Sequence, residues 1–211
     1  MVQDHDTRTT VGVTHPLLTL MDGWLRGLLP TDQQIRDAVH DLWTSDRARA
    51  RSVRDAYIRR FGFTVPLPRA VRSIADLGPI VEVGAGTGYL SKLISHEGSL
   101  AFATDGGDGR QYSLNIGAWE QVHPMDAAFA AASLPERTVL LSWPHGSEWP
   151  ARLLSAMSSG QTLVHSGEGE GGCCAGPLFF KTLLRDFEPV TALPSLSFPG
   201  IHDSFSVWQK R

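Results

Sequence analysis

One stretch decides the fold of this chain: Ile80-Val81-Glu82-Val83-Gly84-Ala85-Gly86-Thr87-Gly88-Tyr89-Leu90-Ser91-Lys92-Leu93-Ile94. Its first residues are mostly β-branched and apolar, as in a buried strand, and three glycines then follow at every second position. Leu90, Leu93 and Ile94 recur at the spacing of a helix. The stretch therefore predicts a buried strand, a tight turn and the start of a helix.

The three glycines have separable physical uses in such a turn. One permits a positive φ where the strand ends, another allows a ligand to lie against the backbone, and the last allows close packing of helix and strand. The helix N-terminus adds N–H groups without intrahelical partners and a partial positive charge. Together these features predict a ligand site at the turn.

Spacing separates two kinds of cofactor that use this turn, dinucleotides and S-adenosylmethionine. The dinucleotide pattern G-x-G-x-x-G requires a sixth-position glycine, and that position is Tyr89 here. The order acid-x-Gly-x-Gly-x-Gly resembles motif I of class I S-adenosylmethionine-dependent methyltransferases. The resemblance implies that S-adenosylmethionine is the cofactor. It also implies that the cofactor site includes Glu82, Gly84, Ala85, Gly86, Thr87 and Gly88.

A second acidic residue supports a cofactor that carries a ribose. Asp105 ends the predicted strand 99–105. Its distance along the chain from Gly88, the last glycine of the turn, is close to the spacing of about 20 residues expected for a ribose-binding carboxylate. An ionised carboxylate accepts hydrogen bonds from both ribose hydroxyls. We predict that Asp105 and the adjacent Gly106 bind the cofactor. The alternative is that Asp105 only starts the turn Asp-Gly-Gly-Asp-Gly.

The resemblance implies further cofactor contacts at the ends of the next two strands. Asp126 follows a short predicted strand. At this position an acid of the methyltransferase class often accepts a hydrogen bond from the adenine amino group. The alternative, which is equally favoured, is that Asp126 is only the N-cap of the next helix. The predicted strand 138–144 contains Ser142 and Trp143 near its end, where the class has its fourth motif, beside the transferred methyl group. All three residues are assigned to the cofactor site.

Methyl transfer to an O–H or N–H acceptor needs a group that takes the proton. The predicted strand ends and loops offer His123, His145, Glu168, Glu170 and His202 as candidate bases. We favour His145 as the catalytic residue because it follows the fourth strand and because histidine is the usual general base in proteins. A surface histidine in a Pro-His-Gly turn is the alternative.

Two residues are predicted to bind the substrate. Phe63, like Phe61, precedes the helix before motif I. At this position many members of the class have an aromatic residue that closes over the cofactor or substrate. The alternative is that both residues pack in the core. Glu168 lies in the acidic, glycine-rich segment that follows the predicted strand 161–165. As a flexible lid this segment would attract a cationic or amine acceptor, and a solvated acidic loop is the alternative.

The fold class follows from strands that alternate with helices along the chain. We expect an α/β, Rossmann-like three-layer sandwich with a seven-stranded, mostly parallel sheet, an antiparallel last strand and an N-terminal helical extension. Residues 1–14 are predicted to be a mobile tail, residues 15–78 an N-terminal helical cap, and residues 79–211 an S-adenosylmethionine-binding domain.

Composition limits the partners of this 211-residue chain. A net charge of −3 gives no general attraction to nucleic acid. The sequence contains no apolar run long enough to span a bilayer, and residues 1–6 lack the basic and then apolar order expected of a signal peptide. The only cysteines, Cys173 and Cys174, are adjacent, which predicts no disulfide framework and no metal site. We expect a soluble, cytoplasmic protein with no nucleic-acid or membrane partner, and keep a homodimer as a hypothesis.

The leading function is therefore methyl transfer to a small molecule, by O- or N-methylation, in bacterial specialised metabolism. An S-adenosylmethionine-binding enzyme of cyclisation or rearrangement is one alternative, and a non-catalytic interaction protein of this fold is another. Residues 57–211 resemble a sparsely characterised group of microbial methyltransferase-like proteins. That group tends to have Trp-Pro-Pro where this chain has Trp143-Pro144-His145, and the resemblance leaves the acceptor open.

Overall fold

The computed structural model describes residues 12–106, 118–145 and 148–211. Its helices are α1 (Pro16–Leu25), α2 (Asp32–Thr44), α3 (Arg47–Arg60), α4 (Pro68–Ala75), α5 (Tyr89–His96), α6 (Ala127–Ser133), α7 (Trp149–Ala156) and α8 (Pro177–Asp186). Its strands are β1 (Val65–Pro66), β2 (Ile80–Val83), β3 (Ala101–Asp105), β4 (Val122–Pro124), β5 (Thr138–Ser142), β6 (Thr162–Glu168), β7 (Phe187–Leu193), β8 (Ser195–Leu196) and β9 (Asp203–Lys210). None of the helices in these ranges is long and apolar enough to cross a lipid bilayer.

Seven of the strands form one sheet in the order β4-β3-β2-β5-β6-β9-β7. The first five strands of this order, β4, β3, β2, β5 and β6, run parallel to one another. Strand β9 runs antiparallel to both β6 and β7. The central strand β2 is buried along its whole length, as is typical of a parallel sheet covered on both faces. This arrangement confirms the predicted Rossmann-like sandwich with an antiparallel last strand.

Two hydrophobic clusters cover the two faces of the sheet. Ile80 belongs to the cluster that contains residues of α1 to α5, whereas Val81 and Val83 belong to the cluster that contains residues of α6 to α8. Because alternate residues of a strand point to opposite faces, the clusters lie on opposite sides. The four N-terminal helices thus share a core with the sheet, and Val13 of the predicted tail packs against it. Residues 1–11 of that tail lie outside the described residues.

Strand β6 is longer than the sequence predicts. It continues beyond His165 to Glu168, which pairs with Asp203 of β9. The prediction that Glu168 lies in a flexible loop is therefore wrong. The reason is the pairing with β9, since a distant strand supplies hydrogen bonds that the local glycine-rich sequence does not reveal. The small antiparallel pair of β1 and β8 was likewise not predicted.

Candidate functional site

A cavity of about 460 Å³ lies at the carboxyl ends of β2, β3 and β5. Open α/β sheets bind ligands at this edge, and the volume is in the usual range for small-molecule sites. Most predicted site residues border the cavity: Phe63, Glu82, Gly84, Ala85, Gly86, Thr87, Asp105, Gly106, Asp126, Ser142, Trp143 and His145. The fold thus brings together residues that are far apart in the chain.

The glycine turn after β2 forms one wall of this cavity. Gly84, Gly86 and Gly88 have φ values of 65°, 56° and 69°, a region that favours glycine. A Cβ on Gly86 would meet no atom of the described residues within 4 Å, so this side of the turn is open. A Cβ on Gly88 would lie 3.1 Å from Val122. Gly88 therefore permits close packing against the segment at β4 and does not itself border the cavity.

Asp105 connects the end of β3 to the glycine turn. Its Oδ2 accepts a hydrogen bond from the Gly86 N–H at 3.0 Å. The backbone N–H of Ala85 donates to the Thr104 carbonyl at 2.9 Å, which joins the same two segments. These bonds fix the turn relative to β3, and they hold the Asp105 carboxylate at the cavity beside Gly106.

Glu82 is an ionisable group beneath the turn, and only 2% of its surface is exposed. Its Oε2 accepts from the Ser91 N–H at 3.0 Å and from the Ser91 hydroxyl at 2.6 Å. Burial raises the pKa of Glu82 to about 7, against the two hydrogen bonds from Ser91, which lower it. The charge of this cavity residue therefore changes near neutral pH.

Residues 61–64, which we call the strap, lie between α3 and β1 and cross the glycine turn. The Thr87 hydroxyl donates to the Phe61 carbonyl at 2.7 Å. The hydroxyl of Tyr89 donates to the Thr64 carbonyl at 2.6 Å. Since Phe61 and Phe63 border the cavity, the strap forms a second wall, and hydrogen bonds hold it to the turn.

Thr64 also joins the strap to the sheet. Its hydroxyl lies 2.9 Å from the Ser142 hydroxyl on β5 and 2.9 Å from the Ser166 hydroxyl on β6. The Tyr57 hydroxyl donates to the Thr64 carbonyl at 2.9 Å. Burial raises the pKa of both tyrosines well above the usual value, which keeps them protonated as donors. The strap is thus a fixed part of the site.

A double-mutant cycle tests this arrangement. We expect Tyr57→Phe and Tyr89→Phe each to lower the free energy of unfolding by about 1 kcal/mol, the usual net value of one hydrogen bond. The double variant should lose about 1 to 2 kcal/mol more than the sum, because the buried Thr64 carbonyl then loses both donors. Urea unfolding of the four proteins measures these values. Strictly additive losses would contradict a shared acceptor.

The end of β5 places three predicted residues at the cavity. Trp143 has a φ of 49°, which is uncommon for a bulky residue, and its N–H donates to the Ser166 carbonyl at 2.7 Å. Its ring stacks on Phe63, with centroids 5.0 Å apart and planes at 20°. His145 is exposed, and its ring centroid lies 5.8 Å from that of Trp149.

The remaining candidate bases do not border the cavity. His123 stacks on Phe102, with ring centroids 4.5 Å apart. Glu168 accepts from the N–H and the thiol of Cys173, and from the N–H of His202. The hydrogen bond from the thiol lowers the pKa of Glu168 and raises that of Cys173. Among the described residues, no group of three or more His, Cys, Asp or Glu is arranged to hold a metal ion.

Several cavity residues were not predicted from the sequence. Trp149 and Arg152 of α7 border the cavity, as do Ile58 of α3 and Tyr89 of α5. A Cβ on Gly84 would lie 3.4 Å from the Trp149 ring, so this helix packs directly on the turn. The only sequence signal for Trp149 is its position in the first turn of the helix after β5. Helix periodicity alone assigns it to packing.

The sheet has the strand order of the class I methyltransferase fold. The chain is similar to magnesium protoporphyrin IX methyltransferase from Synechocystis PCC 6803, with 14% sequence identity and a TM-score of 0.49. The aligned region covers 96% of this chain and 100% of that chain. A SAM-dependent methyltransferase from Archaeoglobus fulgidus has 15% identity, coverages of 76% and 94%, and a TM-score of 0.43. Human N-acetylserotonin methyltransferase has 13% identity, coverages of 92% and 66%, and a TM-score of 0.44.

No protein-family model matches the sequence, and no curated protein matches it. All three similarities have TM-scores below 0.5, and it is the strand order and strand directions that define the fold.

Proposed function

We propose that this protein is an S-adenosylmethionine-dependent methyltransferase that methylates oxygen or nitrogen of a small molecule. The observation that supports this most is the open side of Gly86 next to the Asp105 carboxylate, within a cavity that also contains the buried Glu82. The arrangement leaves room against bare backbone and supplies acceptors for a cationic, hydroxyl-rich ligand.

The residues fit the parts of this cofactor. The turn with Glu82 suits the amino-acid end, because its buried carboxyl can pair with an ammonium group. Asp105 suits the ribose hydroxyls. Asp126 caps α6, with its Oδ1 accepting from the Phe129 N–H at 3.0 Å. A carboxylate has two oxygens, so this cap is compatible with a second bond from Asp126 to an adenine amino group.

Bound S-adenosylmethionine supplies a methyl group on a positively charged sulfur, which becomes a neutral thioether after transfer. The chain orients the acceptor for in-line attack, and orientation can contribute about 7 to 11 kcal/mol. We assign His145 the role of accepting the proton that the acceptor O–H or N–H loses as its new bond to carbon forms. A base of this kind contributes roughly 10²- to 10⁴-fold in rate.

Titration calorimetry with S-adenosylmethionine tests the proposal. We expect the protein to bind it saturably, and Asp105→Asn to weaken binding about tenfold or more, since hydrogen bonds to a charged group are worth about 1.5 to 3 kcal/mol. The matched control is Asp37→Asn on the exposed face of α2, which should bind as the parent does. No binding by the parent, or equal binding by Asp105→Asn, would remove the assignment of this cavity.

A further inference from the structure

Helix α3 contributes one side chain, Ile58, to the border of the cavity. Side chains four positions apart on a helix are neighbours on one face, so Arg54 lies next to Ile58, one turn nearer the start of α3. Both residues are half-buried. Arg54 is therefore placed at the edge of the cavity.

The environment of Arg54 differs from that of the other arginines of α3. Three of the six form ion pairs: Arg49 with Asp41 at 3.2 Å, Arg51 with Asp55 at 3.9 Å and Arg60 with Asp22 at 2.7 Å. Among the described residues, the side chains of Arg47, Arg54 and Arg59 have neither an ion pair nor a hydrogen bond. Arg47 and Arg59 are exposed to water, whereas Arg54 is half-buried. Because burial removes water from its charge, Arg54 is the one of the three that an anionic partner would stabilise most.

The loop after β6 places Arg54 on the side of the cavity that contains the proposed base. The hydrogen bond to Glu168 raises the pKa of the Cys173 thiol, and the nearby charge of Arg54 lowers it by a smaller amount. Arg54 is therefore close to this loop. The next residue of the loop, Cys174, forms a β-bridge with His145. Arg54 and His145 thus flank the same loop.

The acidic residues on the border of the cavity are already assigned to the cofactor; they are Glu82, Asp105 and Asp126. Arg152 is the only Lys or Arg among the described residues of that border, and it has no ion pair with any of them. Its helix α7 packs against α6, whose N-cap is Asp126, so Arg152 lies toward the proposed adenine site. The cavity offers a further ligand no uncommitted carboxylate.

The acidic residues of the loop leave the charge of Arg54 uncompensated as well. Glu168 does not border the cavity, and each of its carboxylate oxygens accepts at least one hydrogen bond, from Cys173 and from His202. Glu170 is exposed and forms no ion pair within the described part of the chain. A cationic acceptor would therefore meet a positive charge on this side of the cavity, and an anionic acceptor would be attracted to it.

We infer that the methyl acceptor carries a carboxylate, which Arg54 binds at the edge of the cavity while the oxygen or nitrogen to be methylated points inward. This inference rests on the proposed function and names the substrate class of the same site. A guanidinium group can donate two parallel hydrogen bonds to a carboxylate. One arginine balances the single charge of a carboxylate, whereas a phosphate monoester carries close to two charges at pH 7. Arg54 is thus a residue that determines specificity for the acceptor.

Probe pairs that differ in one charge test the inference. The pairs are 4-hydroxybenzoate with 4-hydroxybenzamide, and 6-hydroxyhexanoate with 6-hydroxyhexanamide. Calorimetry of the protein saturated with S-adenosylhomocysteine should show the carboxylate of at least one pair binding about tenfold tighter than its amide, because hydrogen bonds between charged groups are the strong ones. This ratio should fall as salt is added. No saturable binding of either carboxylate, or amides that bind as tightly in both pairs, would overturn the inference.

Variants of α3 locate the preference on one side chain. Arg54→Gln should reduce the ratio of the two affinities to about twofold or less, and Arg54→Lys should give an intermediate ratio, because lysine keeps the charge and loses the fork. The affinity for S-adenosylhomocysteine should stay unchanged in both, as the measure of an intact fold. An unchanged ratio in Arg54→Gln contradicts the inference.

Two control variants separate a binding site from the general field of the helix. Arg59→Gln removes an exposed arginine from another face of α3. Arg47→Gln removes one from the same face as Arg54, about 10 Å further along the helix, a distance over which salt screens most of the interaction. Both should keep the ratio. An equal loss in Arg47→Gln and Arg54→Gln would mean that no specific carboxylate site exists.

Failure of this inference is distinguishable from failure of the proposed function. If S-adenosylhomocysteine does not bind the parent protein, the proposed function fails and the inference falls with it. If it binds and the preference for the carboxylate is absent, only the substrate class is wrong.

Discussion

Replacement of Gly86 by alanine should strongly weaken binding of S-adenosylmethionine while the protein remains folded. The new Cβ meets no described atom within 4 Å, so the core has nothing to rearrange. It enters the open space beside the turn where we propose that the cofactor lies. Since an extra methyl group forced into filled space costs about 1 to 3 kcal/mol, a loss of about five- to a hundredfold in affinity is expected.

Gly98→Ala is the matched control for this variant. Gly98 has a φ of 87°, its Cβ would also meet no described atom, and it does not border the cavity. Both variants place an alanine in the left-handed region, which costs roughly 1 to 2 kcal/mol of stability. Thermal unfolding should therefore show similar losses, whereas calorimetry should show lost cofactor affinity in Gly86→Ala alone. Equal affinities of the two variants would mean that the turn does not contact the cofactor.

The glycine turn could be predicted because its signals are local. Alternating glycines and the acid before them specify the backbone of the turn without reference to the rest of the chain, and the structure has all three glycines at positive φ. The start of α2 is specified locally in the same way, because Thr31 and Gln34, three residues apart, have the spacing of a capping box and form both of its hydrogen bonds. Patterns of this kind depend on neighbours within one turn of chain.

The other walls of the cavity depend on contacts between distant residues. Thr64 reaches Ser142 and Ser166, which are 78 and 102 positions away. Nothing in the string around Thr64 indicates those partners, because a hydroxyl has the same local signature in a loop and in a buried network. Trp149 was missed for the same reason, since its contact with Gly84 depends on how α7 crosses the sheet. Tertiary packing, and not local preference, determines these positions.

Glu82→Gln should make the cofactor-free protein more stable at pH 8 and have little effect near pH 4.5. The pKa of Glu82 is about 7 in the fold against a usual value of 4.5, so the folded state binds the proton more tightly than the unfolded chain. Stability therefore falls as pH rises from about 4.5 to about 7, by a total of about 3 kcal/mol. Glutamine has no such titration, and its side-chain oxygen can still accept from Ser91.

Urea unfolding of parent and variant at pH 5 and pH 8 measures the difference. The buried His165, whose pKa burial lowers to about 4, destabilises both proteins equally as pH falls below 6.5, so it cancels in the comparison. Glu136→Gln, at an exposed position, is the control and should follow the parent at both pH values. If Glu82→Gln shows the same change between pH 5 and pH 8 as the parent, Glu82 does not titrate in this range.

The same carboxyl links cofactor binding to protons. An ammonium group next to Glu82 favours the charged carboxylate and lowers its pKa, so binding below pH 7 must release a proton. Affinity of the parent should then rise with pH up to about 7, whereas that of Glu82→Gln should be weak and independent of this titration. Calorimetry at pH 6 in two buffers of different ionisation enthalpy measures the protons released. We expect the parent to release protons on binding and Glu82→Gln to release none. This difference is expected only if the amino-acid end of the cofactor lies beside the buried Glu82, so it distinguishes this placement from binding elsewhere in the cavity.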